Sequence, residues 1–170
     1  MANNLIISTG WGYKVDLIAI FVESWKKYQA ATADLIMLVE PDVAFQGDIF
    51  EEVKPQEGQV DLFVNEEDPN ADLSERFNKY ILTSNYGEAV AKEMAHLRIL
   101  CSGTTLGSQE MMIKYIVTLM NQRDMKKMME VGGIPDEQAP YNYIFHKNLI
   151  EHTKLPNGVG VGTLCLVHPK

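Results

Sequence analysis

The chain has little cysteine, little positive charge and no long apolar run, and each shortage removes a class of protein. Its 170 residues hold two cysteines, Cys101 and Cys165, both set in apolar stretches and neither in a CxxC or Cys/His cluster. Neither a disulfide scaffold nor a zinc site is expected, and two buried thiols suit a reducing compartment. Lysine and arginine number 15 against 23 aspartates and glutamates, a formal net charge of −8. Such a surface repels a phosphate backbone, so nucleic acid is not expected as the main partner. A small anionic substrate stays open, because an acidic cluster can recruit the metal that holds it. No apolar stretch approaches the ~20 residues of a spanning helix, so no membrane span is expected. Met1-Ala2-Asn3-Asn4 runs straight into Leu5-Ile6-Ile7 with no basic leader. No signal peptide is read, and the expected compartment is the cytoplasm.

What is there is ordinary globular material. Apolar residues make up 46% and charged residues 22%. Residues 1–170 read as a single domain, long enough to bury roughly 70% of the unfolded chain's surface. Leu5–Ser8 predicts a strand, ended by Thr9-Gly10-Trp11-Gly12. Ile18, Phe21, Val22 and Trp25 fall at i, i+3, i+4, i+7 and predict an amphipathic helix. Asp34–Val39 is a continuous apolar run, as in a strand buried on both faces, stopped by Pro41. Val60–Val64 predicts a third strand and Leu97–Cys101 a fourth. Leu73, Phe77, Tyr80 and Ile81 predict a helical face, broken at Asn85-Tyr86-Gly87. A short helix then runs to about His96. Met112, Tyr115, Ile116, Leu119 and Met120 predict another, and Tyr141, Ile144, Phe145 and Leu149 a last one starting near Asp136. Gly158–Val167 predicts a final strand. Strands alternating with helices predict an α/β fold with a mostly parallel central sheet flanked by helices. Ligands of such sheets collect at the carboxyl ends of the strands.

Several segments carry chemistry, each beside a plainer structural role. Glu40-Pro41-Asp42 sets two carboxylates at i and i+2 after a buried strand, so both can face one hard cation such as Mn²⁺ or Mg²⁺. It is equally a solvated strand end. Thr9-Gly10-Trp11-Gly12-Tyr13 joins glycines, which allow close backbone approach, to aromatics that can stack on a base. The same aromatics can cap a core, and no GxGxxG is present. Ser102-Gly103-Thr104-Thr105 reads as a loop able to bind a sugar or phosphate, or as a turn, with Ser108 as N-cap of the next helix. Pro135-Asp136-Glu137-Gln138 opens a helix, with acids suited to its dipole. Alternatively, one carboxylate serves as general base, with Gln138 or Asn142 on substrate hydroxyls. His96, His146, His152 and His168 show no metal spacing; His168, after the last strand, is the one candidate ligand. The methionines from Met111 to Met129 read as helix filling.

Three of these segments resemble one family. Asp42-Val43-Ala44-Phe45-Gln46-Gly47-Asp48-Ile49-Phe50 resembles the DVVFQGDPF segment of nucleotide-sugar glycosyltransferases with a GT-A fold. Ile99–Ser108 is similar to their ILCSGTTIGS segment, and Glu137–Ile144 to their DQAxxNYLI segment. The three occur in the family's order. Small soluble enzymes of this kind occur in large algal viruses, which would place the chain in a host cytoplasm. The resemblance implies a GT-A-like domain, a nucleoside diphosphate sugar donor of UDP or GDP type, and a glycan or glycoprotein acceptor. It implies Mn²⁺ or Mg²⁺ held by Asp42, with Glu40 and His168 as further ligands. Thr9, Gly10, Trp11, Tyr13, Ser102, Gly103 and Thr104 would bind the donor. Glu137 would be catalytic, with Asp136 beside it as a rival.

The chain departs from the family in two places. The strand at Asp34–Val39 meets the acidic motif directly, without the intervening helix and its Arg-Tyr pair. Val39 also stands where the family has its first acid. A non-catalytic nucleotide- or sugar-binding module is therefore the alternative function, and an interaction domain without a small ligand the third.

Overall fold

A computed structural model of the chain describes residues 5–8, 35–39, 43–45, 48–53, 57–122, 137–159 and 161–163. In chain order these form β1 (Leu5–Ser8), β2 (Leu35–Val39), β3 (Val43–Phe45), α1 (Ile49–Glu52) and β4 (Leu62–Glu66). Then come α2 (Arg76–Tyr86), α3 (Glu88–Met94), β5 (Leu100–Ser108), α4 (Gln109–Gln122), α5 (Gln138–His146), β6 (Thr153–Leu155) and β7 (Val161–Thr163). The predicted amphipathic helix around Ile18–Trp25 lies outside the described residues.

The main sheet has the order β1-β2-β5-β4-β6, and β3 pairs antiparallel with β7 in a separate two-stranded sheet. β1 and β2 are parallel, as are β4 and β6. β5 runs antiparallel to both of its neighbours, β2 and β4. The fold is thus mixed α/β, where the sequence predicts a mostly parallel sheet. The difference comes from one segment. Ser, Gly and Thr at 102–105 are turn formers and predict a loop, yet they lie inside the nine-residue strand β5. Thr104 pairs with Val39 and Thr105 with Leu38 and Val64, while Ser102 N donates to Gln138 of α5, so partners distant in sequence override local preference there.

The strands present their two faces to two cores. Met37, Val39, Phe63 and Leu106 face Ile49 and Phe50 of α1 together with Val53. Leu62, Val64 and Leu100 face Met112 and Tyr115 of α4 and Tyr141, Ile144 and Phe145 of α5. Leu35, Met37 and Val39 are buried while Ile36 and Leu38 are partly covered, the alternation of a strand between layers. A third cluster packs α2 and α3 on Leu73, Ile99 and Ala139. Gly107 lies opposite Leu62 at the start of β4. A Cβ there would stand 2.8 Å from the Asp61 carbonyl oxygen and 3.0 Å from Leu62 Cδ1. Only glycine admits that approach.

Caps set the helix limits. The Asp48 carboxylate accepts from Phe50 N at 3.1 Å and opens α1. Glu75 accepts from Phe77 N at 3.0 Å and Asn78 N at 3.2 Å at the start of α2. Gly87, at φ 86°, separates α2 from α3 in a backbone region that suits glycine. The Ser108 hydroxyl accepts from Met111 N at 3.4 Å, the cap predicted for α4. Two predicted helical faces are turned differently. On α4, Met112 and Tyr115 are buried, but Ile116 is 41% and Met120 67% exposed. On α2, Ile81 and Leu82 point inward while Phe77 is 50% and Tyr80 61% exposed. Each set of apolar residues is wider than the stripe one sheet face can cover.

Candidate functional site

The carboxyl ends of β1, β2 and β4 meet at one edge of the sheet. β1 ends at Ser8, opposite Val39, where β2 ends. Val39 in turn stands opposite Thr104. Because β5 runs against its neighbours, its amino-terminal half lies at this same edge. There the β4–β5 ladder breaks: Val64 pairs with Thr105, but Glu66 pairs with Leu100. Between those positions β4 has only Asn65, whereas β5 has Cys101, Ser102, Gly103 and Thr104. The result is a wide bulge, a feature that re-aims side chains and occurs often beside functional sites.

Helix α5 holds this irregular backbone. Asn142 Oδ1 accepts from Leu100 N at 2.9 Å, and Asn142 Nδ2 donates to Leu100 O at 3.0 Å and Gln138 O at 2.9 Å. Gln138 Oε1 accepts from Ser102 N at 2.9 Å, and its Nε2 donates to Glu67 Oε2 at 3.0 Å. Gln138 and Asn142 are i, i+4 on the helix, and Leu100 and Ser102 are i, i+2 on the strand. The two repeats match, so one helix face replaces a missing strand neighbour. The Tyr141 hydroxyl accepts from Thr105 Oγ1 at 3.2 Å and donates to Thr104 O at 3.1 Å. Burial raises the Tyr141 phenol well above its ordinary value, so the group stays a neutral donor. Tyr115 and Phe145 pack on its ring, with centroids 5.8 Å and 4.7 Å away.

This geometry changes the part given to the two amides. The sequence offers Gln138 or Asn142 for substrate hydroxyls; both are engaged with the chain's own strand and with Glu67. The signal was present, since amides at i, i+4 among Ala139, Tyr141, Ile144 and Phe145 are buried and must find backbone partners. Of the candidate donor-binding residues, Ser102 is half-buried, and Gly103 and Thr104 are buried. Thr104 Oγ1 donates to Cys101 O at 3.5 Å, and Cys101 is buried and in no disulfide. Glu137 is the half-buried residue that opens α5, its carbonyl accepting from Tyr141 N at 2.8 Å. Thr9, Gly10, Trp11, Tyr13, Glu40, Asp42, Asp136 and His168 lie outside the described residues. By chain continuity Thr9 follows Ser8, Glu40 follows Val39 and Asp136 precedes Glu137. No group of three or more His, Cys, Asp or Glu is arranged to hold a metal ion among the described residues. No helix among them is long and apolar enough to cross a membrane.

Comparison with known proteins adds no relative: no family profile matches the chain, and no curated protein matches it.

The far end of α5 carries a titrating group. His146 Nε2 is 2.8 Å from the Arg98 carbonyl oxygen, so this nitrogen holds the proton and donates it. Its Nδ1 lies 3.5 Å from Lys154 Nζ and accepts from that ammonium. Burial is the main cause that pushes the His146 pKa down to about 4, with Lys154, His152 and His96 adding to it and the Arg98 bond opposing it. Burial also lowers His152. Between about pH 6.5 and about 4 the unfolded chain therefore binds the proton more readily, and stability falls as pH falls through that window. After discounting for solvent screening, the His146 share is about 1–2 kcal/mol. Urea unfolding at pH 7.5 and pH 4.5 should show this difference narrowing by that amount in a His146→Gln variant. An unchanged pH dependence would rule the assignment out.

Proposed function

We propose that the chain is a metal-dependent glycosyltransferase that moves a sugar from a nucleoside diphosphate sugar to an acceptor hydroxyl, on a GT-A-like domain. One observation supports this above the rest. Two of the separated segments meet at one sheet edge, the bulge at Cys101–Thr104 and the start of α5 bonded to Ser102, and the third, the acidic motif, follows in sequence directly after Val39, which pairs with Thr104. These are the segments whose sequences resemble the family. Carboxyl ends of neighbouring strands are also where an α/β sheet takes a ligand.

In this reading Thr9, Gly10, Trp11 and Tyr13 and the Ser102–Thr104 segment hold the donor. Glu40 and Asp42 form a hard-oxygen donor set, suited to Mn²⁺ or Mg²⁺, with His168 as a third ligand. A bound divalent ion supplies charge neutralisation for the departing diphosphate. Glu137, with Asp136 as the neighbouring acid, takes the proton of the acceptor hydroxyl if the anomeric centre inverts. If the centre is retained, the same carboxylate stabilises the cationic sugar. The acceptor is a glycan or glycoprotein hydroxyl.

The test is a melting-temperature screen against UDP-, GDP- and dTDP-sugars, with and without Mn²⁺. A free ligand at ~100 times its Kd stabilises by about 2.7 kcal/mol. For a domain of this size that is a rise of roughly 5–10 °C. No shift with any member would reject the reading. The departures at Val39 and in the shortened middle favour one second reading, a binding module that no longer transfers. Release of free sugar from the donor in the presence of Mn²⁺ separates the two, because the module leaves the donor whole.

A further inference from the structure

Three buried side-chain atoms have no hydrogen-bond partner among the described residues: Asn65 Nδ2, Asn78 Oδ1 and the Tyr86 hydroxyl. Folded proteins keep few such groups, since a buried donor without an acceptor opposes folding. Asn78 and Tyr86 belong to α2, outside the sheet. Asn65 is on it. It is the single β4 residue standing against the four-residue bulge of β5, and on its other side it pairs with Leu155 of β6. Asn65 is only 6% exposed.

The surroundings of this position are apolar. Along β4, Asn65 shares its face with Phe63, and that face is lined by Met37, Val39 and Leu106. A leucine has nearly the same shape and would suit such neighbours better. The contrast with the other two amides at this edge is sharp. Gln138 and Asn142 both place their N–H groups on acceptors of the chain. Among the described residues, Asn65 alone presents a dehydrated donor at the carboxyl end of a strand, beside the register position of Val39 and Thr104.

We propose that Asn65 is a ligand-binding residue, whose Nδ2 donates to an acceptor oxygen of the bound sugar nucleotide at the bulged end of β4. The proposal rests on the glycosyltransferase reading, and it adds a residue that none of the family-like segments contains. A desolvated donor that waits for its acceptor favours binding at the expense of the unliganded fold, as sites built for function commonly do.

The experiment compares wild type with Asn65→Leu. Each is melted without ligand, then titrated with the tightest-binding member of the UDP-, GDP- and dTDP-sugar panel and with its nucleoside diphosphate alone, Mn²⁺ present throughout. The variant should melt about 2–4 °C higher without ligand. It should bind the sugar nucleotide about tenfold more weakly, as expected for one lost desolvated hydrogen bond. Weakening toward both ligands assigns the acceptor to the nucleoside diphosphate, and weakening toward the sugar nucleotide alone assigns it to the sugar. Equal affinities in wild type and variant overturn the proposal and leave the glycosyltransferase reading standing. A lower unliganded melting temperature overturns it too, because the amide is then satisfied within the fold. No binding of any member to wild type overturns both. If the leucine variant does not fold, Asn65→Ala gives the same affinity comparison.

Discussion

Asn142→Leu is expected to destabilise the chain by about 3–5 kcal/mol. The Asn142 carboxamide satisfies both the N–H and the C=O of Leu100, at 2.9 Å and 3.0 Å. Leu100 is fully buried, and β2 pairs with β5 only at Thr104–Ser108, so no strand neighbour replaces those bonds. Removing the amide leaves two buried backbone groups unpaired, each costing ~1–3 kcal/mol, with little relief from the apolar replacement. In a domain of this size the melting temperature should drop by roughly 10 °C or more. Urea or thermal unfolding measures it. A loss below about 1 kcal/mol would mean that the helix does not hold the strand in this way. The comparison also bears on function, since a displaced bulge would move Ser102 and Thr104 together.

Asp42→Asn is expected to abolish metal-dependent donor binding while leaving unfolding stability nearly unchanged. The substitution keeps the side chain's shape and removes its charge, and a hard divalent cation binds a neutral amide oxygen far more weakly than a carboxylate. The motif directly follows β2, whose last residue pairs with Thr104. The lost charge therefore belongs to the segment that continues the chain from that edge. Calorimetry with Mn²⁺ and the best donor from the screen should show affinity reduced by at least about 100-fold, or roughly 2.7 kcal/mol. Binding equal to wild type would remove the metal from the reading.

Much of the architecture was legible in the residues. The unbroken apolar run at Leu35–Val39 marks a strand between two layers, and Gly87 marks the break between two helices, because local chemistry decides both. The length of β5 was not legible. Ser102, Gly103 and Thr104 have the preferences of a loop, and the pairing of Thr104 to β2 together with the amides of α5 on Leu100 and Ser102 holds the segment as strand. The face that α4 buries was ambiguous for a related reason. Its apolar residues spread over more than one stripe, and the choice of Met112 and Tyr115 over Ile116 and Met120 is made by the position of the sheet. The amides of α5 were visible as polar residues on an apolar helix. A sequence cannot distinguish a buried amide that serves the backbone from one that serves a ligand.

Composition and pattern by themselves determined the class of molecule: an acidic α/β chain with strands and helices in alternation. Those properties are sums over residues or repeats along the chain, so they need no knowledge of what folds against what. Only the tertiary structure decided that β5 runs against its neighbours, that its bulge faces Asn65, and that Gln138, Tyr141 and Asn142 hold it in place. Each of those contacts joins residues far apart in sequence, and their free energy exists only once the distant partner has arrived.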